Sequence, residues 1–367
     1  MSAVVERRVA APPVPPREPL LPAVRVGPAS LVRRPRVLAV TAGFLGAALA
    51  VAVLALGVGD YTLTPGQVVA ALAGQGSPQD LLVVQTVRLP RVLTGLAAGA
   101  ALAVAGALLQ TTARNALATP DLLGITAGAS AGAVAVITLG GRASTAGPLR
   151  DVGVPAAALA GAALASAIVL LIVRRSGFAG TKPLLVGVGV SAFFAAVVSW
   201  LLIAAPLNDA SRANVWLTGS LNQRSWPELW PLVVCLAAAV VVLAPLASRL
   251  GALQLGPDLA RATGAGVRGT AAATSLVAVV LTAVAAASVG PMGFVALVAP
   301  HAARLASGSS RPPLLASACC GALFLAASDL VARMLLAPLQ LPAGAVVAVV
   351  GGPFLAWLLV VRRRRTT

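Results

Sequence analysis

Four stretches hold side chains whose type and spacing could support chemistry. In "SDLVAR", Asp329 precedes Arg333 by one helical turn, the order that favours an intrahelical ion pair. A carboxylate in so apolar a setting needs such a partner simply to be inserted, so the pair has a structural reading as well as a functional one. "RLPR" puts Arg88 and Arg91 around Pro90, which suits the first turn of a helix. Two arginines at the positive end of a helix dipole cost about 0.3–1 kcal/mol locally, which points to an acidic partner or to lipid phosphate. The single histidine, His301 in "PHAAR", has no second histidine with which to hold a metal, so polar helix packing is the simpler role.

"GASAG" at 128–132 matches the G-x-S-x-G pattern of a nucleophile elbow around Ser130, but that motif needs a strand, a strained turn and a helix, and its context here is one apolar helix. The only lysine, Lys182, is preceded by "GFAGT" and followed by Pro183, so no phosphate-binding G-x-x-x-x-G-K-[ST] loop is formed around it. Any ATP coupling must therefore come from another subunit. Cys235, Cys319 and Cys320 fall within apolar runs with no spacing that suggests a disulfide framework or a metal site.

The elements that carry these residues are set by composition. Of 367 residues, 59% are hydrophobic and 10% charged, against roughly 25% charged in soluble domains. Bilayer is the matching solvent. A helix needs about 20 apolar residues to cross its core of about 30 Å. Runs at 37–57, 92–111, 153–173, 184–204, 229–249, 270–290, 314–336 and 341–361 meet that length, 121–139 is slightly short and 293–306 distinctly so, which gives about ten spans. The runs are continuously apolar instead of alternating, which favours helices over a β-barrel. The expectation is an all-α polytopic membrane protein.

The net charge of +17 is spread between the spans and forms no basic domain, so nucleic acid is not the partner it implies. With the N-terminus in the cytoplasm, all basic residues except Arg88, Arg91, Arg142, Arg150, Arg212, Arg224 and Arg333 fall on the cytoplasmic side, as the positive-inside rule requires for both ends. Residues 1–36, rich in Pro and Arg, read as a disordered cytoplasmic tail, with a retained first helix in place of a cleaved leader. The transmembrane domain is then 37–365. Thr64 and Pro65 can start a short helix in the external stretch 58–90, and the tryptophans of 206–228 suit an interfacial helix. In the cytoplasmic stretch 250–269, Gly256, Pro257 and Asp258 open a short helix that Gly264 and Gly266 can close. Fourfold spacing of small residues, Gly95 and Gly99 on one helix and Gly124, Gly128 and Gly132 on another, marks faces for close helix packing.

Six stretches, in order, resemble the FecCD family of ABC-transporter permeases: 88–132, "LLVGVGVSAFFAAVVSWLL", "VWLTGSL", "GPMGFVALVAPHAARL", "SDLVARMLLAP" and "LPAGAVVAVVGGPFLAWLLV". The resemblance covers about 37–365. It implies the type II ABC importer permease fold with ten transmembrane helices, in the bacterial cytoplasmic membrane. Implied partners are two ATPase subunits, a second permease copy or paralogue, an extracytoplasmic substrate-binding protein and membrane lipid. ATP and Mg would be used by the partner ATPase, and this chain would bind no cofactor. Arg88, Arg91 and Arg333 match the family's docking arginines for the binding protein. Leu255, Ala260, Arg261, Thr263, Gly264 and Arg268 match its ATPase coupling region. The implied function is alternating-access import of an iron–siderophore or related metal chelate. An ion-coupled secondary transporter and an intramembrane enzyme using Ser130, His301 or Asp329 are the competing readings.

Overall fold

A computed structural model describes residues 23–26, 29–32, 34–59, 61–140, 149–173, 182–253, 266–336 and 339–363. Ten helices correspond one for one to the ten apolar runs. They are α1 (Pro35–Gly57), α4 (Leu89–Thr112), α5 (Ile125–Leu139), α6 (Leu149–Val173), α7 (Lys182–Ala204), α9 (Trp226–Leu243), α11 (Val267–Val289), α12 (Val295–Ser307), α13 (Leu314–Met334) and α14 (Ala343–Arg363). Among the described residues, four shorter helices lie between them: α2 (Pro65–Leu72), α3 (Pro78–Leu81), α8 (Leu207–Leu217) and α10 (Ala247–Leu253). Among the described residues, 7 helices are long and apolar enough to cross a membrane. Among the described residues the fold is all-helical apart from one hairpin-like pair of strands.

That pair lies in the stretch expected to be disordered. The backbone of Ala23–Val26 (β1) pairs antiparallel with Ala29–Val32 (β2), Ala23 opposite Val32. Its valines have the branched shape that favours strands.

α4 is the central helix. Its Leu102 and Leu108 sit in one buried cluster with Leu232 of α9, Leu281 of α11 and Leu325 of α13. Lipid tails are as apolar as leucine, so burial alone does not draw helices together in a bilayer; dense contact between small residues does. The backbones accordingly touch. A methyl added at Gly99 would overlap the carbonyl of Gly321 in α13, and one at Gly321 would overlap Gly99. Gly128 of α5 and Gly161 of α6 form the same reciprocal contact, with Gly132 against the Ala157 carbonyl one turn away. Gly106 meets the carbonyl of Ala296 in α12, a close approach outside the fourfold pattern.

Two expectations change. Gly124 is not on a packing stripe of α5; it precedes the helix with φ +77°, a left-handed conformation, against Val190 and Ser191 of α7. Gly95 meets a side chain, Leu221, instead of a helix backbone.

α12 has 13 residues, about 20 Å at 1.5 Å each and too short to cross alone. The chain before it breaks at Gly290 (φ +81°) and Phe294 (φ 64°). Irregular backbone at membrane depth is tolerated only when protein covers it. Here Gly290 lies against Gly219 and the Trp216 carbonyl, Ser220 N–H donates to Val289 at 3.0 Å, and Gly351 of α14 faces the Phe294 ring.

Replacing Gly99, Gly128 or Gly106 by Leu should therefore abolish recovery of monodisperse protein in detergent. Gly43→Leu on α1, where nothing lies within 4 Å, should leave it unchanged. Overpacking a closed core costs about 1–3 kcal/mol and more where the clash is with backbone. Equal recovery of all four variants by size-exclusion chromatography would contradict this packing.

Candidate functional site

The charged residues Arg88, Arg91, Asp329 and Arg333 converge at one end of the bundle, the end that holds the C-terminus of α1. The geometry starts from the approach to α4. The span does not begin at Pro90 as expected: α3 runs into a π-helical turn, Leu82–Arg88, which continues into α4. Pro90 has no N–H to give, and its ring clashes with a helical carbonyl four residues back. The wider π register, in which Leu89 N–H reaches the Val84 carbonyl, carries the helix up to that proline. Arg88 and Arg91 thus sit inside a continuous helix, and no dipole penalty acts on them.

Arg91 is the hub. Its Nη2 donates to Asp329 Oδ1 at 2.8 Å and its Nε to Oδ2 at 3.1 Å, a side-on bidentate pair between α4 and α13. Its Nη1 donates to Gln340 Oε1 at 3.0 Å and to Asn222 Oδ1 at 3.3 Å. One guanidinium thereby joins α4, α13, the segment after α8 and the connection into α14.

Asp329 also faces Arg333 Nε at 3.4 Å. The intrahelical pair read from spacing exists, but it is the longer of the two, and the carboxylate is shared. Arg333 turns its two terminal nitrogens towards the Ala55 carbonyl, each at 3.4 Å. Arg88 Nη1 donates to the Leu56 carbonyl at 2.7 Å, and Nη2 to that of Tyr61. Ala55 and Leu56 close α1, whose last carbonyls have no intrahelical donors. Two cations at that negative end satisfy and complement them.

Arg88 and Arg91 are 6% and 7% exposed, and the Arg333 side chain 8%. The three arginines assigned to docking are thus held by acceptors of their own chain, and a partner's carboxylate would have to displace or join those acceptors. Nearby, Thr64 and Gln67 form a capping box on α2, and Tyr61 donates to Asp80 Oδ1 at 2.9 Å. That hydrogen bond raises the Tyr61 phenol above its ordinary value, and the charge of Asp80 adds to it.

Of the coupling residues, Leu255, Ala260, Arg261, Thr263 and Gly264 lie outside the described residues, and Arg268 is in the first turn of α11. Ser130 lies in the middle of α5, without the turn a nucleophile elbow needs. His301 is buried, with its ring edge-on to Phe354 at 5.9 Å between centroids. Among the described residues no group of three or more His, Cys, Asp or Glu gathers as a metal would require. The site joins side chains into a structural lock and holds no group poised for covalent chemistry.

Removing one partner of a buried pair leaves a stranded charge and costs about 3–5 kcal/mol. Asp329→Asn and Arg91→Met should each lower the thermal midpoint in detergent, and the double variant should recover much of the loss. Additive losses would show that the two side chains do not interact.

Residues 34–361 match the FecCD transport family. The chain is 40% identical over 307 residues to the ferric enterobactin transport system permease protein FepG of Escherichia coli (strain K12), covering 84% of this chain and 91% of that one. It is 40% identical over 317 residues to the achromobactin transport system permease protein CbrC of Dickeya dadantii (strain 3937), covering 86% and 89%. A solved structure described as an inward-facing conformation of a proposed metal-chelate type ABC transporter superposes with a TM-score of 0.77 at 28% identity, covering 88% of this chain and 99% of that one. A ten-helix bundle with the family's motifs in order, matched along almost the whole length of such relatives, belongs to the FecCD transport family.

Proposed function

We propose that this chain is the membrane-spanning permease of an ATP-driven importer for an iron–siderophore or a related metal chelate. The observation that carries the reading is the match, over about nine tenths of their length, to permeases named for ferric enterobactin and achromobactin transport. In the cycle that follows, a loaded binding protein docks outside, and ATP binding moves two cytoplasmic ATPase subunits. The 250–269 region passes that motion to a pair of permease chains, either two copies or this chain with a paralogue. Both termini lie in the cytoplasm. The substrate crosses without covalent change, and this chain contributes the path and its gate.

The network at the external end bears on the competing carrier. Asp329 is the one carboxylate well inside a span, and carriers use such groups to bind a coupling ion near the midplane. Here its oxygens are engaged by Arg91 and Arg333, so a coupling ion would have to displace an arginine to reach them. Cells carrying this permease should lose nearly all radiolabelled ferric siderophore uptake when ATP is depleted. They should keep it when a protonophore is added while ATP is maintained. The opposite pattern would establish the carrier.

Docking is assigned to Arg88, Arg91 and Arg333, which match the family's docking arginines and gather at one end of the bundle. Ionic strength tests it without unfolding the lock they form. Binding-protein association should weaken about tenfold from low salt to several hundred millimolar, since the long-range attraction of a partner's acids towards this cationic cluster is screened beyond about 10 Å. Salt-independent association would remove the assignment.

A further inference from the structure

At the opposite end of the bundle three helix ends meet. Arg36, in the first turn of α1, donates from Nε to the Ala306 carbonyl at 3.1 Å, in the last turn of α12. Its guanidinium lies over Gly308, where an added Cβ would come within 3.0 Å of Nη1. Arg311, half-buried between α12 and α13, lies over Gly251 of α10 at a corresponding 3.3 Å. Arg34 is exposed and close enough for its charge to act on Arg311. Burial and that neighbour pull the Arg311 guanidinium below its ordinary value, yet arginine stays charged. Among the described residues none of these three side chains has a carboxylate within ion-pair distance.

This differs from the external cluster, where Asp329 joins the arginines. Glycines at 251 and 308 let two guanidiniums lie close to backbone, and among the described residues like charges are gathered with no acid in ion-pair distance. The flanking surface is apolar: Leu38 of α1 is 58% exposed, Leu305 of α12 46% and Leu315 of α13 72%. A soluble anion would satisfy the cations and ignore the leucines. An amphiphile with an anionic phosphate head satisfies both, since guanidinium groups pair with phosphate through parallel hydrogen bonds.

We infer that Arg34, Arg36 and Arg311 form a headgroup site for an acidic phospholipid of the cytoplasmic leaflet, with its acyl chains along Leu38 and Leu315. The inference rests on the proposed orientation, in which this end faces the cytoplasm, where basic residues beside a span attract anionic lipid.

The full-length chain, alone and in complex with its ATPase subunits, is exchanged into phosphatidylcholine micelles and titrated with phosphatidylglycerol, with thermal midpoint and retained lipid measured together. Phosphatidylglycerol should raise the midpoint and stay bound, and extra phosphatidylcholine should do neither. Changing Arg34, Arg36 and Arg311 together to Gln should weaken the response roughly tenfold or more. The same three changed to Lys should keep most of it, and Arg34→Gln alone, at an exposed position, should weaken it by a smaller step. Identical titrations for wild type and both Gln variants would overturn the site. Inorganic phosphate reproducing the whole effect would make it a free-anion site, and loss of lipid on ATPase binding would give the cations to an acidic subunit surface instead. The assay uses neither substrate nor ATP, so its failure leaves the transport reading intact. Labelling of Arg34→Cys from outside the cell would separately refute the orientation.

Discussion

Backbone carbonyls of one helix resting on the glycines of another are the contacts the rest of the molecule depends on. In water, apolar surface would drive these helices together whatever their detailed shape. In lipid it does not, so association must come from close packing and hydrogen bonds. Gly99 on Gly321, Gly106 on Ala296 and Gly128 on Gly161 supply that closeness, and the first two fix α4 between α13 and α12. Only with α4 and α13 locked at that separation can Arg91 reach Asp329 at 2.8 Å. The ion network is thus a consequence of the glycine contacts and a reinforcement of them.

The network also explains how so apolar a bundle tolerates charge. A buried carboxylate between two arginines is favourable only if the remaining donors are satisfied. Asn222, Gln340 and the carbonyls that close α1 take up most of them. Carbonyls at a helix end inside a membrane need donors, and arginines in a span need acceptors. Each requirement meets the other. The connections at this end of the bundle are tied to the helices by the same groups, so any movement of α4 against α13 here must work around or through Arg91.

Much of this was legible in the residues. Continuous apolar runs give the ten helices because the bilayer imposes their length, and fourfold glycine spacing at 99, 128 and 132 marks true contacts. The failures have physical causes. Gly124 shares the spacing yet serves a left-handed turn, which spacing alone cannot distinguish. Pro90 imitates a helix start, while the π turn that carries the helix up to it has no residue signature of its own. Phe294 in a left-handed conformation is held there by tertiary contact with Gly351, so its local sequence says "helix". The pairing of Arg91 with Asp329 spans 238 positions, beyond any periodicity. The strand pairing of Ala23–Val26 with Ala29–Val32 rests on a few valines in a stretch whose overall Pro- and Arg-rich composition gives no strand signal.

The central claim is that these helices form a passive path whose opening is powered by nucleotide hydrolysis on a companion polypeptide. The most direct measurement is transport by purified components in liposomes, with the permease, the ATPase and the loaded binding protein added or withheld in turn. The account predicts accumulation of the ferric chelate only when all three and ATP are present. Accumulation by the permease alone, driven by an ion gradient, would contradict it.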